Sequence, residues 1–166
     1  MPQHTRNLRD GTITIVDGTA VTPLELIVTP DMGDLSFTEV HNVITIKSRG
    51  QLDHRRVGDE EELEVSFSMK YSQWSFSTGV ATGVSVVDAL TQRGGASAWV
   101  STDETCAPYA IDLRFDIEDP CNAGLIETLT FEKFTVTSIA FQEGDEANSI
   151  KVSGRAFQTT PVRTYG

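Results

Sequence analysis

The chain has 166 residues and a mass of 18.2 kDa, with 39% hydrophobic and 22% charged side chains, enough for one domain with a sizeable core. Thirteen Lys and Arg stand against 24 Asp and Glu, giving a net charge of −11 and a pI near 4.6. That balance excludes gripping nucleic acid through a broad basic face, which needs cations to neutralise phosphates, but leaves open enclosing it.

The opening decapeptide M-P-Q-H-T-R-N-L-R-D has no apolar core of a secretory signal, and no apolar run reaches the roughly 18 residues that span a bilayer. Cytoplasmic synthesis without a membrane partner is expected. Cys106 and Cys121 are too few for a disulfide scaffold and match no zinc spacing, so they read as reduced thiols. One domain is expected over 1–166, with 1–10 and 159–166 as possible interaction arms.

In chain order, 11–16 (G-T-I-T-I-V) alternates as a strand and Asp17-Gly18 signals a turn. A second short strand follows Pro23 over 24–29. Residues 34–71 read as a long hairpin: arms over 34–46 and 62–71, joined by a charged loop over 47–61. In the second arm Leu63, Val65, Phe67, Met69 and Tyr71 alternate with polar residues, the pattern of a strand with one buried and one wet face. The first arm changes phase, from Leu35 and Phe37 to Ile44 and Ile46. A one-residue slip flips every side chain, so a bulge or bend is expected between Glu39 and Asn42.

Ser85 with Asp88 three positions on is a helix N-cap signature. Val86, Val87 and Leu90 follow at helical spacing and Gly94-Gly95 ends the pattern, predicting one short helix over 86–93. Strands are expected again over 98–101 and 110–117. A second long hairpin follows, with arms over 127–141 and 149–157 and a turn over 143–148. Its first arm slips phase twice, at Phe131 to Phe134 and at Val136 to Ile139. The fold class is mainly β: a sandwich or barrel with two long bent hairpins and one short flanking α-helix.

Catalytic chemistry is not in evidence in the sequence. His4, His41 and His54 are scattered outside any metal-binding pattern. Asp112, Asp116, Glu118 and Asp119 lack the glycine-bearing loop of a calcium site and read as a solvated acidic face. The G-V-A-T-G run over 79–83 lacks the Lys-Ser/Thr of a phosphate loop, and G-V-S-V over 83–86 lacks the closing Gly of a nucleophile elbow. The expectation is a protein without catalysis, metal or cofactor.

The loop over 47–61 is more informative. Lys47, Arg49, Arg55 and Arg56 are interleaved with Asp53, Asp59, Glu60 and Glu61. Such a loop is either flexible and solvated or a docking element between copies, since opposite signs let identical chains pair head to tail. The outward rows Glu62, Glu64, Ser66, Ser68 and Lys70, and Thr128, Thr130 and Glu132, are rich in hydroxyls and weakly acidic. They are either a generic wet sheet face or a pore lining along which DNA slides without being held.

An ordered set of phrases carries a family resemblance: G-D-L-S (33–36), K-S-R-G-Q (47–51), G-D-E-E (58–61), F-S-M-K-Y (67–71) and V-D-A-L-T (87–91). D-P (119–120), E-T-L-T-F (127–131), F-Q-E-G-D (141–145) and V-S-G-R-A (152–156) complete it. With them the chain resembles the tail tube (major tail) proteins of tailed bacteriophages, siphophage-like in type. The resemblance implies a virion protein forming homo-hexameric rings that stack into a hollow tube. It also implies strands shared in a lumenal barrel, contact with tape measure and tail tip or terminator proteins, and DNA passing through the lumen. Different readings are another β-sandwich virion component, such as a tail terminator or capsid decoration, and a carbohydrate-binding module, although Trp74 and Trp99 lie far apart for an aromatic platform.

Overall fold

Alternation of apolar and polar side chains decides most of the strands, and the computed structural model shows how they join. It describes residues 11–28, 35–70, 77–78, 83–118, 126–143 and 149–166. The strands are β1 (Gly11–Val16), β2 (Glu25–Val28), β3 (Ser36–Thr38), β4 (Val43–Ser48), β5 (Gln51–Val57), β6 (Leu63–Lys70) and β7 (Ser77–Thr78). Helix α1 (Val86–Thr91) follows, then β8 (Ile111–Glu118), β9 (Ile126–Gln142), β10 (Ser149–Ala156) and β11 (Val162–Tyr165). Among the described residues they form one mixed-length sheet in the order β3-β6-β10-β9-β8-β1-β2-β7, with β11 also on β9, and a separate two-stranded sheet, β4-β5. All described pairings are antiparallel.

β9, 17 residues long, is the hub. Its first half pairs with β8 on one side and β11 on the other, whereas its second half pairs with β10. The two phase slips in its sequence coincide with two bulges. One lies at Glu132-Lys133, where the register with β8 shifts; the other is at Thr137, where the register with β10 shifts beside Gly154. Lys133 adopts a left-handed backbone (φ 51°), unusual for a side-chain-bearing residue. Its N–H donates to Asp112 Oδ1 at 2.9 Å and its ammonium reaches Asp103 at 3.0 Å. The Asp103 carboxyl is held below its ordinary value, first by the Glu104 N–H and then by Lys133. Gln158 spans the gap between β10 and β11: its side chain donates to the Thr130 carbonyl at 3.1 Å and accepts from Glu132 N–H at 3.2 Å.

The inward rows meet in one core. Leu63, Val65, Phe67 and Met69 of β6 face Ile111, Leu113 and Phe115 of β8 and Leu129, Phe131 and Phe134 of β9 within it. Phe37 packs on Phe131 with ring centroids 5.4 Å apart, and Phe67 on Phe134 at 6.5 Å, both tilted as aromatic quadrupoles prefer. α1 closes the core with Val86, Ala89 and Leu90, and the predicted cap is present: Ser85 Oγ accepts from Asp88 N–H at 3.1 Å. The helix ends two residues earlier than the spacing predicts, because Gln92 turns left-handed (φ 53°) and donates its side-chain amide to the Trp99 carbonyl. Tyr109 donates to the Ala89 carbonyl, and burial pushes its phenol far above its ordinary range.

The strand expected over 98–101 is absent. Those residues follow a 3-10 turn (Gly94–Ala96), and their backbone is held by a buried carboxylate instead of a strand neighbour. Asp17 accepts from the N–H groups of Thr19, Leu24 and Val100 and from the Thr19 hydroxyl. The terminal segment read as an arm over 159–166 lies along β9 as β11. Residues 1–10, and the turn over 144–148, fall outside the described ones.

Gly154 supplies a test of the second bulge. A Cβ there would stand 2.4 Å from both the Phe134 ring and the Thr135 carbonyl. Gly154→Ala is expected to lower stability by about 1–3 kcal/mol, the range for overpacking. Urea unfolding of the two proteins checks it; equal midpoints would show that the ring has room to move.

Candidate assembly surfaces

The stretch over 47–61 is not a loop. β4 and β5 form a ribbon closed by a two-residue turn, Arg49-Gly50, with both residues left-handed (φ 49° and 84°), as a tight hairpin requires. β5 escaped the sequence reading because Asp53, His54, Arg55 and Arg56 mask its alternation. Between Ile46 and Lys47 the register shifts, leaving Asp53 as the extra residue. The pairs Val43–Val57, Thr45–Arg55 and Lys47–Leu52 share one face, and Ile44–Arg56 and Ile46–His54 share the other. Almost nothing here is buried: Val43 is 60% exposed, Leu52 72% and Val57 82%. A two-stranded ribbon has too little contact to be stable alone in water.

The expected break in the first arm falls where the ribbon leaves the main sheet. β3 stops at Thr38 and β4 begins at Val43. Asn42 ties the two strands at that junction. Its carbonyl accepts from Gly58 N–H at 2.8 Å, and its side-chain amide donates to the Asp59 carbonyl at 3.0 Å and the Glu61 carboxylate at 2.8 Å. Glu39 adds contacts to His41 at 3.6 Å and to Arg163 of β11 at 4.0 Å.

Folding sorts the mixed charges of this stretch. Lys47, Arg49, Arg55 and Arg56 lie on the ribbon against the single carboxylate of Asp53, a net of +3, which leaves −14 on the rest of a chain whose total is −11. Asp53 sits 3.2 Å from His54. The exposed carboxylates of Asp59, Glu60 and Glu61 lie on the connection back to β6, next to Glu62. Arg114, Lys133, Arg155 and Arg163 of the body each have a carboxylate within 4.0 Å. Among the described residues none of the four ribbon cations does.

The outward face of β6 and β10 brings Glu64, Ser66 and Ser68 beside Arg155, Ser153 and Lys151. Arg155 lies 3.5 Å from Glu64 and 4.0 Å from Glu62, and the Ser36 and Ser66 hydroxyls share a hydrogen bond of 2.8 Å. A shallow trough there is lined by Ser36, Thr38, Ser66, Thr137 and Ser153. The side chain of Lys70 lies outside the described ones. Thr128, Thr130 and Glu132 precede the Lys133 bend, between β8 and β11, and do not neighbour β6. Thr128 donates to Asp116 at 2.6 Å.

Sequence reasoning missed the edge of β9. Its ladder with β8 ends at Phe134, and beyond it residues 135–140 have β10 on one side and no described strand on the other. The run T-V-T-S-I-A carries no charge, Pro or Gly. The signal was present as an uncharged stretch in a strand longer than any possible partner.

No constellation suited to catalysis is assembled among the described residues. No group of three or more His, Cys, Asp and Glu is placed to hold a metal. Asp112 and Asp116 are engaged by Lys133, Arg114 and Thr128, and Ser85 is a helix cap. Cys106 is exposed; His4, Cys121, Asp119 and most of the G-V-A-T-G run lie outside the described residues. No helix is long and apolar enough to cross a membrane among the described residues.

No known family profile and no curated protein sequence matches the chain. Solved structures do share its fold. A chain from the sheath/tube terminator of PVC, an extracellular contractile injection system, in its extended state superposes with a TM-score of 0.65 at 8% identity, covering 98% of each chain. A chain from the sheath-tube complex of PVC in the extended state gives 0.55 at 6% identity, covering 99% of this chain and 94% of that one. One from the six-fold symmetrised baseplate of the anti-feeding prophage gives 0.50 at 6%, covering 100% and 96%. At such identities the likeness is one of fold.

The Asn42 junction predicts how the ribbon is held. Asn42→Ala removes two hydrogen bonds at an exposed site, so global stability should fall by only about 1 kcal/mol. Amide hydrogen exchange over 43–57 should accelerate several-fold. Unchanged exchange there would show that the ribbon's own ladder, and not Asn42, fixes it.

Proposed function

We propose that this chain is a non-enzymatic structural subunit of a phage-like tail or injection tube, assembling with copies of itself into a ring at the tube's end. The observation that carries the reading is the open edge of β9. A strand edge without charge or Pro over 135–140 is a template for pairing, and the bulge at Thr137 is the one guard it carries. The opposite end of the same half-sheet is β3, only three residues long on β6, so among the described residues it too leaves part of its neighbour open. Pairing one end with the other in successive copies is head to tail, and a head-to-tail contact makes a ring when its rotation closes.

In such a ring the face bearing Glu62, Glu64, Ser66 and Ser68 lines the lumen. Its Arg155 is matched by Glu64 and the rest is largely hydroxyl, a lining that lets a polyanion such as DNA pass without holding it. The β4–β5 ribbon, with Lys47, Arg49, Arg55 and Arg56, contacts a neighbouring copy. Six-fold symmetry rests on the resemblance to tail tube proteins and is in keeping with the fold's occurrence in a six-fold baseplate.

Termination of the tube is the first reading because the terminator chain superposes at 0.65 with nearly full coverage both ways. A repeating tube wall of stacked hexamers is the second, supported by the sheath-tube chain at 0.55. The siphophage-like type draws no support from these structures, two of which come from a system described as contractile. Electron microscopy and mass measurement of the purified chain separate the two readings: a terminator gives discrete rings, a wall protein gives long tubes. Lysines placed on the open edge, Ser138→Lys with Ala140→Lys, should weaken assembly by at least about tenfold in concentration while leaving the monomer's circular dichroism unchanged. Rings that form as readily with those lysines would remove the β9 edge from the interface.

A further inference from the structure

Four cations and an apolar row stand on a ribbon that the body of the chain neither neutralises nor covers. The ribbon carries a net +3 and the remainder −14. Within the chain, Lys47, Arg49, Arg55 and Arg56 have no carboxylate partner among the described residues, whereas Arg114, Lys133, Arg155 and Arg163 of the body do. Exposed Val43, Leu52 and Val57 share a face with Lys47 and Arg55.

Resting on the self-assembly reading, we infer that the ribbon docks head to tail on the acidic surface of a second copy of this chain, its face of Lys47 and Arg55 seated over Asp59, Glu60 and Glu61. Charge decides the polarity. Two ribbons side by side would bring +3 against +3, so a two-fold ribbon-to-ribbon contact is disfavoured and the pairing must join unlike surfaces. The acidic run holds four consecutive carboxylates at the foot of the ribbon, exposed and turned outward from the core. A ribbon reaching from one copy to the foot of the next therefore repeats the same plus-on-minus contact at every step. A nucleic-acid backbone would match the cations but leave Val43, Leu52 and Val57 in water, whereas a protein surface covers both kinds of group.

Charge exchange tests this with the full chain. Variant one carries Arg55→Glu and Arg56→Glu; variant two carries Asp59→Lys and Glu60→Lys. All four side chains are exposed, so both variants should fold, as circular dichroism would show. Each alone should need at least about tenfold more protein to assemble, because the ribbon of variant one turns net negative over an acidic foot and the foot of variant two loses its net negative charge. An equimolar mixture should assemble with the two variants alternating, which native mass spectrometry reads as equal incorporation. Wild-type assembly should also weaken as salt rises from about 0.05 to 0.5 M, as screening shortens the reach of the contact. Unchanged assembly of either variant alone, or a mixture that fails to recover while wild type assembles, overturns the proposed contact and leaves the ring reading standing. Binding of a 20-base-pair DNA duplex by wild type that is lost in variant one, with assembly intact, assigns the ribbon to nucleic acid instead. A wild-type chain that stays monomeric at high concentration overturns the ring reading itself, and this contact with it.

Discussion

A single strand, β9, belongs to three ladders, with β8, β11 and β10, and the bend between its two halves is held by one backbone hydrogen bond to a carboxylate. Lys133 is held left-handed, with Asp112 accepting its N–H and Asp103 its ammonium, while Phe157 lies 5.6 Å from that ammonium. A non-glycine residue in that conformation is retained only where its surroundings over-determine it. Here β8 supplies Asp112, and β8 is in turn fixed by its apolar row in the core. Past this bend β9 parts from β8 after Phe134, while β10 takes the flank that β11 covers earlier, and the flank β8 leaves is the open edge among the described residues.

The same bend explains the uneven distribution of burial. Before it, β9 is covered by strands on both sides; after it, the strand projects with one ladder and increasingly exposed side chains. The β4–β5 ribbon projects from the same half-sheet, beyond β3 and the foot of β6, and is almost wholly solvated. Such elements bury too little apolar surface to offset the entropy of ordering them within one chain. Two under-supported elements on one half-sheet, against a well-packed remainder, give the molecule a well-buried side and a side left exposed in the single chain.

Charge follows the same division. Body ion pairs such as Arg114 with Glu25 and Asp116 are internal to the fold and partly shielded, with Glu25 and Asp116 outweighing burial at the guanidinium and holding the proton more firmly. The ribbon's cations have no carboxylate partner among the described residues. An acidic chain that concentrates unmatched positive charge on one arm has its interaction polarity built into its covalent sequence, but only folding separates the arm from the acids that follow it.

The sequence by itself determined what depends on local period and local chemistry. The alternation of β6 and β8, the capped helix, the phase slips and the break near Glu39 to Asn42 were all legible, because side-chain direction repeats every two residues in a strand and a slip must be absorbed where it occurs. Tertiary structure alone decided what depends on distant partners. β5 was hidden by its charges and emerged only through its pairing with β4. Residues 98–101 lost their strand to Asp17, far away in the chain. Thr128 and Thr130 parted from the β6 row because they pair with β8 and β11, and β9 meets β10, the neighbour of β6, only from Phe134 on. The open edge of β9 is likewise a relation between strand lengths, which no local pattern records: β8 ends its pairing at Phe134, and β9 continues.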